Sequence, residues 1–256
     1  MNKSEQPALA PRQMGAVNWL GLWTLYAKEV RRFLNVHLQT VGAPVITSLL
    51  FLAVFLLALG RAVETVNGIV YATCLAPGLV MMTMAQNAFA NTSSSIMISK
   101  VQGNIVDVLM PPLSAGEMVA GFAFGAVTRG IIVGAATAIA MSIFVDVGIH
   151  NIWAILYFGI SASLMLALLG IAGGIWAVKF DHIAVVTNVV VTPLSSLSGT
   201  FYSAENLPEA GQVLVHFNPF FYMIDGFRYG FTGISDGTIM TGVVVLAVVN
   251  AALWLL

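Results

Sequence analysis

The chain has 256 residues, 59% of them hydrophobic and only 8% charged, with a mean hydropathy of +0.92 and a net charge of −1. Soluble domains are roughly a quarter charged, so a chain this poor in charge cannot cover a soluble surface, and the composition indicates an integral membrane protein. The single cysteine, Cys74, excludes an internal disulfide framework, and no Cys or His spacing points to a metal site.

Residues 1–15 are polar, with Lys3 and Arg12 among small residues and prolines. They read as a flexible cytoplasmic tail rather than a secretory signal, because no short apolar core with a small-residue cleavage site follows directly. Residues 16–36 read as an amphipathic interface helix. Trp19, Trp23, Tyr26, Val30 and Phe33 recur at steps of four and three to form an apolar stripe. Thr24, Lys28, Arg31, Arg32 and Asn35 fall on the other face, and Lys28, Glu29, Arg31 and Arg32 are its candidate functional residues. A helix of this kind suits the inner membrane surface. The plainer alternative is a basic anchor for the first span.

A membrane-spanning helix needs about 20 mostly apolar residues. Stretches free of charge, or nearly so, give six spans: 41–59, 73–96, 116–145, 152–177, 183–200 and 238–256. The fold class expected is therefore an all-α polytopic membrane protein, with residues 16–256 as a single transmembrane permease-like domain. With the N-terminus inside, the inner segments hold Lys3, Arg12, Lys28, Arg31, Arg32, Lys100 and Lys179, and the outer ones only Arg61 and Arg228. That bias places both termini in the cytoplasm.

The first cytoplasmic loop contains a helical core, Val101 to Met110, within a short helix expected at about 100–112. Pro111-Pro112 stops it. Ser114 can then cap the next helix, with Glu117 at capping-box spacing. Gln102, Asn104 and Asp107 are the expected exposed residues. They are a handle for a cytoplasmic partner or simply part of a capped turn.

Arg129 is the one charge within a span, about 21 Å along its helix from Ala115 at 1.5 Å per residue. A charge at that depth costs at least about 2.5–3.5 kcal/mol and faces protein, water or an anion rather than lipid. Gln86, Asn87 and Asn91 on the second span can lie at comparable depth. These four residues are candidates for a substrate pathway; the alternative for Arg129 is a pin between spans.

Residues 206–231 read as two short helices of about 10–12 residues, each reaching about halfway through a bilayer. Asn206 caps the first. Asn218 caps the second, with Pro219 at its first position. Aromatic rings favour the outer interface, and backbone at membrane depth must pack on protein or line a cavity. The pair therefore reads as a re-entrant segment, with Asn218, Pro219, Phe220, Phe221, Tyr222, Asp225 and Arg228 as its candidate residues; the plainer alternative is an ordinary pair of helices lying on the surface outside the membrane. Asp225 and Arg228 are spaced to pair with each other, and Gly226 and Gly230 allow close packing.

Five stretches carry a family resemblance: LAPGLVMMTMAQNAFANTSSS (75–95), NIVDVLMPPLS (104–114), GAVTRGIIVG (125–134), SLSGTFYSAENLP (196–208) and NPFFYMIDGFRYG (218–230). Together with the order of elements, the chain beyond residue 15 resembles the membrane subunit of a type-2 ABC exporter, the permease family of polysaccharide, lipo-oligosaccharide and drug efflux systems. The resemblance implies a homodimer in the cell inner membrane bound to two copies of a cytoplasmic ABC ATPase. It implies that the helix at 100–112 is the coupling helix, that the N-terminal helix braces it, and that the outer pair forms part of a gate over the exit. Arg129 falls at an arginine familiar in the family's third span. Two departures are Asp107, where a glutamate is common, and the stop at Leu256, where members often carry a charged tail.

The resemblance also implies a division of labour that the residues support. A phosphate-binding P-loop needs a lysine after glycine, and none of Lys3, Lys28, Lys100 or Lys179 follows one. No cofactor, catalytic residue or nucleic-acid partner is expected for this chain; ATP and magnesium belong to the partner. Competing readings are a secondary active transporter, a non-transporting membrane scaffold, and an intramembrane serine protease at GISAS (159–163). The last lacks a base, because His37, His150, His182 and His216 all fall at or outside span ends.

Overall fold

The computed structural model describes residue 15 and residues 17–59, 65–66, 69–200 and 215–256. The expected tail up to residue 14 and the helix start at Asn206 lie outside the described residues. The architecture is helical: α1 (Trp19–Leu34), α2 (Ala43–Leu59), α3 (Tyr71–Val101), α4 (Ile105–Leu109), α5 (Ala115–Ser142), α6 (Ile152–Trp176), α7 (Phe180–Val185), α8 (Thr192–Leu197), α9 (Pro219–Thr232) and α10 (Ile239–Leu255). A two-residue antiparallel ladder, β1 (Thr65–Val66) with β2 (Ile69–Val70), precedes α3.

Among the described residues, four helical stretches are long and apolar enough to cross a membrane: Leu38–Ala58, Ala115–Ser142, Ile152–Trp176 and Phe180–Leu197. Helix α10 is apolar but has 17 residues. Helix α3 has 31 residues and a run of amides and hydroxyls, yet 20 of its residues are buried. A helix enclosed by protein can carry polar groups that a lipid-facing helix cannot.

The core is the bundle of α3, α5 and α6, and glycines let these helices approach. A side chain at Gly170 on α6 would meet Phe89 O of α3 at 2.6 Å, and one at Gly130 on α5 would meet Ser163 Oγ at 2.8 Å. Thr92 Oγ1 donates to Ala167 O across the α3–α6 contact at 2.9 Å. Small residues at such seams bring helix backbones together where no hydrophobic drive separates protein from lipid. Ser163 is buried in this seam with no hydrogen-bond partner for Oγ.

Two wide turns interrupt the outer helices. Residues Leu38–Gly42 form a π-turn, with Ala43 N–H donating to Leu38 O, five residues back. Residues Val186–Val191 form another, with Thr192 N–H donating to Thr187 O. A proline follows each, Pro44 and Pro193. Proline has no N–H for the ordinary i−4 bond and its ring crowds that carbonyl. A locally widened helix accommodates it. Residues 183–200, expected as one short span, are thus built as α7, a π-turn and α8 in an unbroken helical run.

The loop between α3 and α5 differs from the expected helix at 100–112. Helix α3 runs on to Val101, Gly103 adopts φ 74°, and only Ile105–Leu109 form the separate helix α4. The left-handed glycine turns the chain before the prolines do. The next helix starts as the sequence indicates: Ser114 Oγ accepts from Glu117 N–H at 3.3 Å, and Glu117 Oε2 accepts from Ser114 N–H at 2.6 Å.

Candidate transport pathway and coupling surface

Helix α1 divides its aromatic stripe: the tryptophans face outward, whereas Phe33 packs into the protein and Tyr26 Oη lies 3.1 Å from Thr128 Oγ1 of α5. Trp19 and Trp23 are 72% and 64% exposed, whereas Leu25, Glu29 and Phe33 are buried. The helix runs beside the first half of α5: Asn18 N–H donates to Glu117 Oε1 at 2.6 Å, Leu25 packs on Gly121, and Glu29 packs on Gly125. Of the expected polar face, Arg31 is exposed, but Arg32 turns inward. Its Nε and Nη2 donate to Glu29 Oε2 at 3.2 and 3.0 Å, and Nη2 also reaches Asn91 Oδ1 at 3.0 Å. Ser95 Oγ donates to Glu29 Oε1 at 2.7 Å, and Lys28 Nζ lies 3.3 Å from that oxygen. The correction has a physical cause: α3 supplies hydroxyls and an amide where α1 lands, so a carboxylate is satisfied there without water.

Arg129 Nη2 donates to Asn87 Oδ1 at 2.8 Å, and Asn87 Nδ2 donates to Thr83 O at 3.0 Å. The structure brings Asn87 to Arg129 but sends Asn91 to Arg32. Among the described residues no carboxylate pairs with Arg129, and its Nε is buried without a hydrogen-bond partner. Arg129, Arg32, Gln86, Asn87, Thr47 and Thr83 line one cavity of about 520 Å³ between α2 and α3. Thr47 and its neighbour Ser48, whose Oγ lies 2.6 Å from Thr83 Oγ1, belong to this wall and did not stand out in the sequence. A hydroxyl within an otherwise apolar span was the available signal.

At one end of the bundle, Gln102, Asn104 and Asp107 are exposed beside α4. Val106, Leu109 and Met110 are exposed there too, at 53%, 59% and 75%. Between this loop and α1 lies a cleft of about 820 Å³, lined in part by Trp19, Thr24, Asn104, Asp107 and Val108. Lys100 Nζ donates to the backbone carbonyls of Ile175 and Ala177, fastening the loop's root to the end of α6.

At the opposite end, Asn218 Oδ1 accepts from Phe220 N–H at 3.1 Å and starts α9, with Pro219 in its first turn. Asn218 Nδ2 donates to Ser198 Oγ at 2.7 Å, tying α9 to the end of α8. Phe220, Phe221 and Tyr222 are buried, and Tyr222 Oη donates to His216 O at 3.0 Å. Gly226 lies directly against the Phe158 ring of α6, and the Gly230 carbonyl accepts from His150 N–H and Asn151 N–H at 2.9 and 2.8 Å. The helix is longer than expected, 14 residues, and ends at Gly233 with φ 75°.

Asp225 and Arg228 do not pair as their spacing suggests. Asp225 accepts from Ser235 Oγ at 2.6 Å, Asp236 N–H at 2.8 Å and Gly237 N–H at 3.2 Å. Arg228 reaches Asp236, 3.9 Å away, and the Gly199 carbonyl. Three donors gathered in one turn satisfy a buried carboxylate better than a single cation one helical turn along.

Comparison with known proteins accords with this arrangement. Residues 21–232 match the family model described as ABC-2 type transporter. The chain is 37% identical over 238 residues to the inner membrane transport permease YadH of Escherichia coli (strain K12), covering 93% of each chain. It is 26% identical over 221 residues to nodulation protein J of Rhizobium leguminosarum bv. viciae, covering 84% of this chain and 82% of that one. A long buried bundle with a polar cavity, flanked by apolar helices, is the framework these relatives share in sequence, and the chain belongs to the ABC-2 type transporter family as a transmembrane permease.

Proposed function

We propose that this chain is the membrane-spanning subunit of an ABC exporter in a cell inner membrane. It forms the substrate pathway as a homodimer and is driven by two copies of a separate cytoplasmic ATPase that uses ATP and magnesium. Helices α2, α3, α5, α6, the α7–α8 run and α10 serve as its six spans, with both termini in the cytoplasm. The inner-membrane location is supported by the likeness to YadH. The 14-residue α9 forms part of a re-entrant seal at the outer end.

The observation that carries the reading is the α4 loop. It exposes Val106, Leu109 and Met110 beside Asp107 on an otherwise polar turn. Its two flanks are fixed, by Lys100 on α6 and by the Ser114–Glu117 capping box. A small mixed surface on a rigid root suits a docking contact that transmits force. Asn18 bonds both Glu117 Oε1 and, through Nδ2, Pro112 O at 3.1 Å, so α1 braces the same loop.

The test is co-purification with the candidate ATPase followed by export assays in inverted vesicles. Wild type is expected to form a stable complex and to export only with ATP. Asp107→Lys is expected to insert normally yet lose about tenfold or more in ATP-dependent export, through like-charge or desolvation penalties at the contact. Gradient-driven transport without a complex would instead establish a secondary transporter, and unimpaired export by Asp107→Lys would remove α4 as the docking site.

A further inference from the structure

The 520 Å³ cavity between α2 and α3 has an unbalanced wall. Two guanidiniums, Arg32 and Arg129, line it, and no carboxylate does. Arg32 is neutralised from behind by Glu29, which is fully buried and lies outside the lining. Arg129 has no such partner. Asn87 takes one of its donors, and its Nε has none. A lone guanidinium at membrane depth costs about 2.5–3.5 kcal/mol or more, and an anion brought beside it would offset that cost.

The rest of the lining is divided by character. Thr47, Thr83 and Gln86 add neutral polar groups, whereas Phe51, Leu79 and Met82 add apolar surface. The volume falls within the range of about 300–1,000 Å³ typical of small-molecule sites. A charged pole beside an apolar wall matches a ligand with an oxyanion at one end and an alkyl chain at the other. Guanidinium favours such oxyanions because its planar donors fit carboxylate and phosphate geometry.

We propose that this cavity binds the oxyanion headgroup of an alkyl-chain amphiphile, with Arg129 as the principal contact and Thr47 in the same lining. The proposal rests on the export reading and deepens it, by assigning the class of cargo.

The test uses the full chain immobilised in dodecyl maltoside, with radiolabelled dodecyl phosphate as the probe and bound label read by scintillation proximity. Saturable binding is expected, displaced by dodecanoate but not by inorganic phosphate at the same concentration. Arg129→Gln and Thr47→Asp are each expected to weaken binding by about tenfold or more, whereas Arg129→Lys and Thr47→Asn stay within about threefold. Thr47→Asp alters a group exposed in the cavity, so it decides the matter where Arg129→Gln fails to give monodisperse protein. Wild-type affinity in Thr47→Asp, or in folded Arg129→Gln, would overturn the proposal. Equal displacement by inorganic phosphate would overturn the amphiphile class. Binding is read without the ATPase, so a chain that binds but is not driven by ATP refutes the export reading alone. A chain that exports with ATP but ignores headgroup charge refutes the cargo class alone.

Discussion

Helix α6 and the stretch Leu38–Ala58 are almost equally apolar, yet most of the first is buried and little of the second. Phe180–Leu197 is likewise little buried. Hydropathy therefore reports the solvent a helix tolerates and not the neighbour it chooses. What separates them is small residues. Gly159, Ala162, Ser163, Gly170 and Gly174 line the buried side of α6, whereas Leu38–Ala58 has a single glycine, Gly42, with nothing packed against it, and Phe180–Leu197 has none. Close backbone approach needs those gaps. These two stretches flank the bundle and leave most of their surface exposed.

The contrast can be broken most severely at Gly170. Gly170→Leu would drive a side chain into Phe89 O, a backbone atom that cannot rotate away. We expect a loss of at least about 3 kcal/mol and no monodisperse protein on size-exclusion chromatography. Arg32→Ala comes next. It leaves the buried Glu29 carboxylate with only Lys28 and Ser95, and a loss of about 3 kcal/mol is expected in thermal unfolding, near the lower end for an opened buried pair. Ser114→Ala removes one half of the capping box. It should cost about 1 kcal/mol, and it should reduce ATP-coupled export more than it reduces yield. Leu57→Ala on α2 sharpens the comparison from the other side. Leu57 is 81% exposed, so the subunit's thermal stability should change by less than about 0.5 kcal/mol. Any larger effect should appear in subunit association measured by crosslinking.

Much of this arrangement was legible from the chain. Charge-free runs located the long helices because insertion penalises charge strongly and locally. Asn218-Pro219 and Ser114 with Glu117 are local devices, and the structure uses both as expected; Pro111-Pro112 follows a helix already broken at Gly103, and Met110 before it keeps a right-handed backbone. What escaped were choices between competing partners. The spacing of Asp225 and Arg228 permits a pair, but the donors at Ser235, Asp236 and Gly237 arrive from the turn that follows α9, and nothing near Asp225 announces them. Glu29 and Arg32 likewise look like a surface pair until α3 is laid beside them. Arg129 was visible as an anomaly, and Asn87 as its neighbour. That Arg32 shares its cavity depends on how α1 docks, which periodicity does not encode.

The two π-turns carry a mechanical consequence. A π-turn holds one more residue than the helix around it, so each is a unit of slack stored in the chain. Taking up that slack would rotate everything beyond it by about 100° about the helix axis, the angle of one residue in an α-helix. Pro44 and Pro193 follow the ends of the two turns with one residue between, so the slack is held at one level and the rotation has a defined starting point. Thr47 lies three residues past Pro44, on the part of α2 that would turn. The face that α2 offers to the cavity is thus a matter of angular register, set by a single surplus residue at the foot of the helix.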